Sequence, residues 1–223
     1  MKVSEAISGR QSIRAFDSER PVAREIILEI LSTAGRAPSG SNIQPWHVYV
    51  VSGEIKEQIT RVCSERYLSG DEGDAEYHYY PRVWREPYIG RRRQTGFGLY
   101  GLLGIEKKDT AAVQAYRVRN YQFFDAPVGL FFTIDRDMEL GSWLDYGMFL
   151  QSVMLSLREL GLESCAQQAF CPYHDDIMPL LGAPEDQMMV CGMSLGYPQR
   201  DALINSYRTQ RLEAGDFTRF VDD

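Results

Sequence analysis

Apolar residues recur along this chain in two rhythms, and the switches between them mark the elements. Ile26, Ile27, Ile30, Leu31 and Ala34 repeat at helical spacing, which predicts an amphipathic helix opened near Pro21 and closed near Gly35. A short helix over residues 4–9 precedes it. Residues 47–51 are β-branched and aromatic and read as a strand, and residues 54–66 return to a helical pattern. Asp109 or Thr110 can cap a helix running to about Asn120. Residues 128–134 form a continuous apolar run, a buried strand entered through Asp125-Ala126-Pro127. Residues 142–160 are apolar on most faces, with Trp143, Met148, Phe149, Val153 and Leu157, which predicts a central helix buried all round and closed by Gly161. Further strands are expected at 165–169 and 188–195. Helices around about four strands make an α+β domain.

Two stretches carry no such rhythm. From residue 69 to 95 an acidic run, the aromatic Tyr77-His78-Tyr79-Tyr80 and the basic Arg91-Arg92-Arg93 follow one another. The segment, about 69–104, is too short for a core of its own and reads as an insertion or lid on a single domain spanning 1–223. Beyond Pro198 the chain is polar and basic to Arg211 and then runs out as a tail. A tail over about 198–223 without a core pattern is expected to pack on a partner, most economically by exchange in a homodimer.

The charge balance narrows the function. At 223 residues and a net charge of −7, the chain can bury a full core but lacks the basic face that general nucleic-acid binding needs. Any anion it holds must meet a local arginine cluster. Cys63, Cys165, Cys171 and Cys191 form no CxxC pair and read as reduced thiols in a cytoplasmic protein. The first residues lack the apolar core of a signal peptide, and no run is long enough for a membrane span.

Several motifs mislead. Gly96-Phe97-Gly98-Leu99-Tyr100-Gly101 matches a dinucleotide-binding string, but Arg91-Arg92-Arg93-Gln94-Thr95 stands where the strand that aims such a turn belongs; a glycine-containing helix packed closely on a neighbour is the better reading. Gly192-Met193-Ser194-Leu195-Gly196 resembles a nucleophile elbow, yet no histidine lies after His174 and Tyr197-Pro198 follows it, so it reads as a strand end. His47, His78 and His174 have no metal-ligand spacing. More informative is Arg10-Gln11-Ser12-Ile13-Arg14, where two guanidinium groups flank a hydroxyl and suit a phosphate dianion or another electron-rich group. The loop Ala37-Pro38-Ser39-Gly40-Ser41-Asn42-Ile43-Gln44-Pro45-Trp46 can present backbone and amide hydrogen bonds to a flat heteroaromatic ring, with Gln44 and Trp46 read as packing residues.

With these two motifs, Gly161-Leu162-Glu163-Ser164-Cys165-Ala166-Gln167-Gln168-Ala169-Phe170, and Gly196-Tyr197-Pro198 followed by Asn205, Arg208 and Arg211, the chain resembles the FMN-dependent nitroreductase family over essentially its whole length. Glu86-Pro87-Tyr88 and Arg91-Arg92-Arg93 resemble its nitroaromatic and nitrobenzoate reductase branch. The resemblance implies a nitroreductase-like fold with a mostly antiparallel sheet, one long buried helix and a C-terminal tail exchanged across a homodimer. It implies FMN as cofactor, with Arg10, Gln11, Ser12, Arg208 and Arg211 about its phosphate and Arg14 at the pyrimidine edge of the ring. Gln168 and Ala169 would lie along the ring, with a backbone N–H of Ala169 at flavin N5, and Asn120 at its edge. Pro38, Ser39 and Asn42 would reach the flavin of the other subunit. The implied activity passes a hydride from NADH or NADPH through flavin N5 to a nitroaromatic or related small aromatic acceptor, in a ping-pong, two-electron mechanism with no catalytic side chain. The alternatives are reductive dehalogenation of an aromatic, for which Glu76 and Tyr80 have a suggestive spacing, and a non-catalytic FMN-binding redox sensor. The arginines at 91–93 are open between a substrate carboxylate, a nicotinamide phosphate and Asp71–Glu76, with a solvated helix face favoured.

Overall fold

A computed structural model describes residues 1–106 and 108–222. Its centre is an antiparallel sheet of four strands, β1 (His47–Val51), β2 (Val128–Asp135), β3 (Glu163–Gln167) and β4 (Gln187–Gly196), in the order β1-β2-β4-β3. Strands β2 and β4 are central and almost wholly buried, which is why their sequences are apolar without alternation. Strand β2 still obeys the strand period, although its register against β4 shifts after Phe132. Leu130, Phe132 and Ile134 of β2 enter one core with Ile27, Ile30 and Phe149, whereas Phe131 enters a second core with Phe123, Phe170 and Tyr173.

The first core is covered by α2 (Arg24–Ala34) and α6 (Leu140–Glu159), the second by α3 (Gly53–Leu68) and α7 (His174–Leu181). The remaining helices among the described residues are α1 (Val3–Gly9), α4 (Tyr88–Leu102), α5 (Thr110–Val118) and the short α8 (Ala214–Phe217). Asp109 caps α5 as expected, its carboxylate accepting from the Ala112 N–H at 2.9 Å. Gly129 and Gly192 are flat spots in the sheet, where a side chain would run into the rings of Phe123 and Phe170.

Six expectations need correction. Pro21 lies before α2 rather than at its start, and Ala23 is the N-cap. The segment after residue 69 is not irregular throughout, because α4 occupies its second half; the helix is rich in glycine and arginine, and its only buried residue is Leu99, so no apolar stripe announced it. One reading in this stretch holds, since the dinucleotide-like string lies inside α4 as a glycine-containing helix, with Gly98 against the ring of Tyr207. Helix α6 is not buried all round, since Leu140 and Leu144 are 84% and 71% exposed in the single chain. Strand β3 stops at Gln167, and Gln168 and Ala169 belong to a 3-10 turn. Gln44 is exposed, while Trp46 does pack, stacked on Phe149 with ring centroids 4.6 Å apart. Finally, the tail is not uniformly loose. Ile204 and Asn205 are buried, and only beyond them does the chain lie exposed.

Candidate functional site

Residues 11–16 leave α1 extended and run beside β3. Ser12 bridges Ser164 in parallel, and the Ile13 N–H donates to the Ser164 carbonyl at 3.1 Å. Period-two alternation then buries Ile13 and Ala15 and turns Ser12 and Arg14 toward a cleft. The C-terminal segment is brought alongside by Asn205. Its Oδ1 accepts from the Arg14 N–H at 2.8 Å, and its Nδ2 donates to the carbonyls of Ala15 at 2.8 Å and Gln199 at 3.0 Å. Arg208 donates from Nη1 to the Gly9 carbonyl at 3.0 Å. Arg10, Gln11, Ser12, Arg14, Arg208 and Arg211 thereby line one cavity of about 630 Å³.

That cavity holds uncompensated positive charge. Among the described residues, none of Arg10, Arg14, Arg208 and Arg211 has a carboxylate within 4 Å. Burial, and then the charge of Arg211, pull the Arg10 guanidinium below its ordinary pKa. Gln11 donates from Nε2 to the Asn205 carbonyl at 2.8 Å, but its Oε1 is buried with no partner. The neighbouring Glu163 is pushed up by burial, against the pull of Arg158, Arg10 and Arg208, and its Oε1 stands 3.6 Å from Arg158. A polyanion with acceptor oxygens is the ligand that relieves this arrangement.

A second cavity, of about 880 Å³, opens beside the first, and Arg14 lines both. Its floor is the end of β3 and the turn after it, with Gln167, Gln168 and Ala169, and its edge includes Asn120. Gln167 is buried and fully used: its Oε1 accepts from Ser194 Oγ at 2.5 Å and its Nε2 donates to the Asn120 carbonyl at 2.6 Å. The walls are aromatic. Tyr77 packs edge-on against Trp143 at 4.6 Å, donates its hydroxyl to the Val190 carbonyl and accepts from Gln168 Nε2 at 2.7 Å. Burial raises the Tyr77 phenol, which keeps it a donor. No aspartate or glutamate lines this cavity.

The structure thus gathers Arg10, Gln11, Ser12, Arg14, Arg208 and Arg211 at one end of a cleft, and Asn120, Gln168 and Ala169 at the other. It does not bring Pro38, Ser39 and Asn42 there. Their loop sits against α6, where the Gly40 N–H donates to Asp145 Oδ2 at 2.9 Å and Ser39 Oγ accepts from the Gln44 N–H at 3.0 Å. Ser41, Asn42 and Gln44 all have positive φ, so the loop is held in an unusual shape. Sequence reasoning missed Trp143 as a cavity wall and the structural roles of the buried amides Gln167 and Asn205; Tyr77, open between an aromatic lid and a solvent-facing loop in the sequence, lines the cavity. Asn205 and Gln167 lay inside recognisable motifs, but nothing in the sequence named their partners. Glu76 is already engaged, at 2.6 Å from Arg136 and 3.7 Å from His174, and so is not free to hold an amino-acid substrate.

The arrangement suits a long, flat ligand: an aromatic ring against Gln168 and Ala169, a polar edge at Arg14 and an anion at the arginine end. Comparison with known proteins agrees. The model described as "Nitroreductase family" matches residues 7–197. The chain is 39% identical to the nitrobenzene nitroreductase of Ectopseudomonas oleovorans over 222 residues, covering 99% of this chain and 97% of that protein. It is also 39% identical to the 4-nitrobenzoate reductase of Nocardioides sp. (strain LMS-CY), covering 97% and 89%. The crystal structure of the FMN and NADPH-dependent nitroreductase NfnB from Sphigopyxis sp. strain HMH superimposes with a TM-score of 0.96 at 38% identity, over 100% of both chains.

Proposed function

The chain belongs to the nitroreductase family, and from that premise we infer that it is an FMN-dependent NAD(P)H oxidoreductase that reduces nitroaromatic or related small aromatic acceptors. One observation carries the reading. Arg14 lines both the cationic cavity and the aromatic cavity, so a single ligand with a phosphate at one end and a ring at the other has one continuous place to lie. FMN fits the unmet needs of the site. Its phosphate supplies the anion for Arg10, Arg208 and Arg211 and relieves the repulsion between Arg10 and Arg211. Ser12 and Gln11 add contacts there, and Arg14 and Asn120 meet the edge of the ring.

FMN held by Arg10, Arg14, Arg208 and Arg211 would supply two-electron hydride chemistry between a reduced nicotinamide and an aromatic acceptor. The chain's own residues orient and exclude. Gln168 and Ala169 form the surface on which the ring rests. Gln167 fixes that surface by tying it to β4 through Ser194 and to residue 120 through its carbonyl. Tyr77 and Trp143 wall the cavity and favour stacking of a planar molecule. The guanidinium of Arg14 favours negative charge at the near edge of the ring. No side chain is required as a nucleophile, and solvent can supply protons to the open cavity.

The active form is a homodimer of single domains, each with the 69–104 segment as lid. The single chain leaves Leu140 and Leu144 of α6 exposed, together with Leu212, Phe217, Phe220 and Val221 of the tail. Edge strand β1 borders a groove of about 750 Å³ lined by Leu28, Val48, Val50, Ile55 and Leu181, suited to an apolar tail from a second copy. In that assembly Pro38, Ser39 and Asn42 serve the partner's flavin.

The test begins with binding. Titration with FMN should yield a tight yellow complex, and Arg10→Gln should weaken FMN by roughly tenfold or more while changing riboflavin, which lacks the phosphate, far less. An anaerobic titration with NADH or NADPH should then bleach the flavin, and a nitroaromatic should restore its colour. A chain that takes no FMN overturns the reading. A yellow chain that neither nucleotide bleaches favours the redox-sensing alternative.

A further inference from the structure

The lid of this acidic protein is basic. Between residues 78 and 93 stand Arg82, Arg85, Arg91, Arg92 and Arg93 against the single carboxylate of Glu86, a local charge of +4 in a chain of net charge −7. Among the described residues, none of the five has a carboxylate within 4 Å. The nearby acidic run does not neutralise them, because Asp71 is held by Arg66 at 2.7 Å and Glu76 by Arg136.

One of the five lines the cavity, and a second lies against one of its walls. Arg82 lines the 880 Å³ cavity directly, where no carboxylate opposes it. Arg92 lies 4.6 Å over the Trp84 ring and 5.7 Å from that of Tyr80, and Tyr80 is itself a cavity wall. Stacking on aromatics pre-organises a guanidinium and leaves its N–H edge available, which favours a dianionic oxygen group over bulk water.

Resting on the function proposed above, we propose that Arg82 and Arg92 form a receptor for the 2′-phosphate of NADPH, and so set preference for NADPH over NADH. The shape of the charge argues for the nucleotide. An aromatic acceptor is small enough to lie inside the cavity and needs one cation at most. The lid instead offers several cations, with Arg82 in the cavity wall and Arg92 on the rings of Trp84 and Tyr80, more than a small acceptor needs and suited to a dinucleotide whose nicotinamide is stacked within. The remaining arginines add long-range attraction for a ligand carrying several negative charges.

The experiment uses the FMN-loaded protein, Arg82→Gln, Arg92→Gln and the double variant, with Arg61→Gln on α3 as a charge-matched control. Equilibrium binding of adenosine 2′,5′-bisphosphate and of adenosine 5′-monophosphate is measured by calorimetry, and anaerobic flavin bleaching is followed with NADPH and NADH. The wild type should bind the bisphosphate more tightly and bleach at lower NADPH than NADH. The double variant should lower the NADPH:NADH preference by roughly tenfold or more and should flatten its salt dependence, with Arg61→Gln leaving both in place. An unchanged preference in the double variant overturns the proposal. So does an effect confined to the oxidative half-reaction, with the KM of a nitrobenzoate rising relative to nitrobenzene; the patch would then serve an acceptor carboxylate. Flavin that neither nucleotide bleaches marks failure of the underlying function instead, and the bisphosphate binding still tests the receptor.

Discussion

At the scale of single residues, the site depends on buried groups with every hydrogen bond used. Gln167 is the clearest. Its substitution by leucine keeps the volume but strands the buried Ser194 hydroxyl and deprives the carbonyl of Asn120, half-buried at the cavity edge, of its donor. We expect Gln167→Leu to lose about 1–3 kcal/mol of stability and to release FMN more readily, as read by thermal unfolding and by flavin retention on gel filtration. An unchanged melting temperature would mean that water already satisfies those groups. The four cysteines give a pH prediction. All are buried and free, and burial pushes Cys63 and Cys171 up to about 12 from an ordinary 9. A folded pKa above the unfolded one means that the native state holds protons which the unfolded chain has lost. Stability is therefore full below pH 9 and declines above it, by about 1.4 kcal/mol per pH unit for each thiol. The slope of unfolding free energy between pH 9 and 10.5 should be shallower in Cys171→Ala than in the parent. In the native protein at neutral pH a thiol reagent should find no fast-reacting cysteine.

At the scale of elements, the segment after α3, proposed above as a lid, is pinned at its start and exposed further on. Arg66 of α3 holds Asp71 at 2.7 Å, Asp175 at 2.7 Å and Asp176 at 2.6 Å, and lies 4.8 Å over the Tyr173 ring, whose hydroxyl donates to the Asp71 carbonyl. One exposed ion pair is worth little, but Arg66→Ala would leave three carboxylates facing one another. We expect limited proteolysis within residues 70–86 to accelerate several-fold, and an unaltered cleavage rate would show that the contact of Gly73 and Asp74 with Pro172 suffices. Legibility in the sequence also varied by element. Strands β2 and β4 could be read because both faces of the sheet are covered there and the sequence is apolar along their length, and edge strand β1 because it is β-branched and aromatic. Helix α4 could not, since its partners are short contacts such as Gly98 on Tyr207 and Leu99 beside Ile204 rather than a stripe. The arginine end of the site was legible because guanidinium groups at both ends of the chain had a common need. Its scaffold was not: Asn205 and Arg14 meet across 191 residues, and no local pattern encodes that contact.

At the scale of the whole molecule, the surface of the single chain supports the proposed dimer. It exposes Leu144, the end of its tail and the Pro38–Asn42 loop, and the loop lines neither half of the cleft in its own subunit. The proposed dimer accounts for both facts together, and it makes a demand that a monomeric enzyme does not. Each site would take its arginines from one chain and its loop from the other. Two inactive chains, one carrying Arg10→Gln and one carrying Asn42→Asp, should then complement when unfolded together and refolded. Aspartate tolerates the left-handed backbone at 42, so the loop keeps its shape. Random pairing gives half heterodimers, and each of these has one site with both native groups and one with neither. About a quarter of all sites should therefore regain tight FMN binding and nitroreductase turnover, where either variant alone has almost none. Recovery depends on the tail as well, since a chain cut after Arg211 should sediment as a single subunit rather than a pair. If the mixture shows no gain over its components while both variants remain dimeric, the loop serves its own chain and the cleft must close by a movement within one subunit.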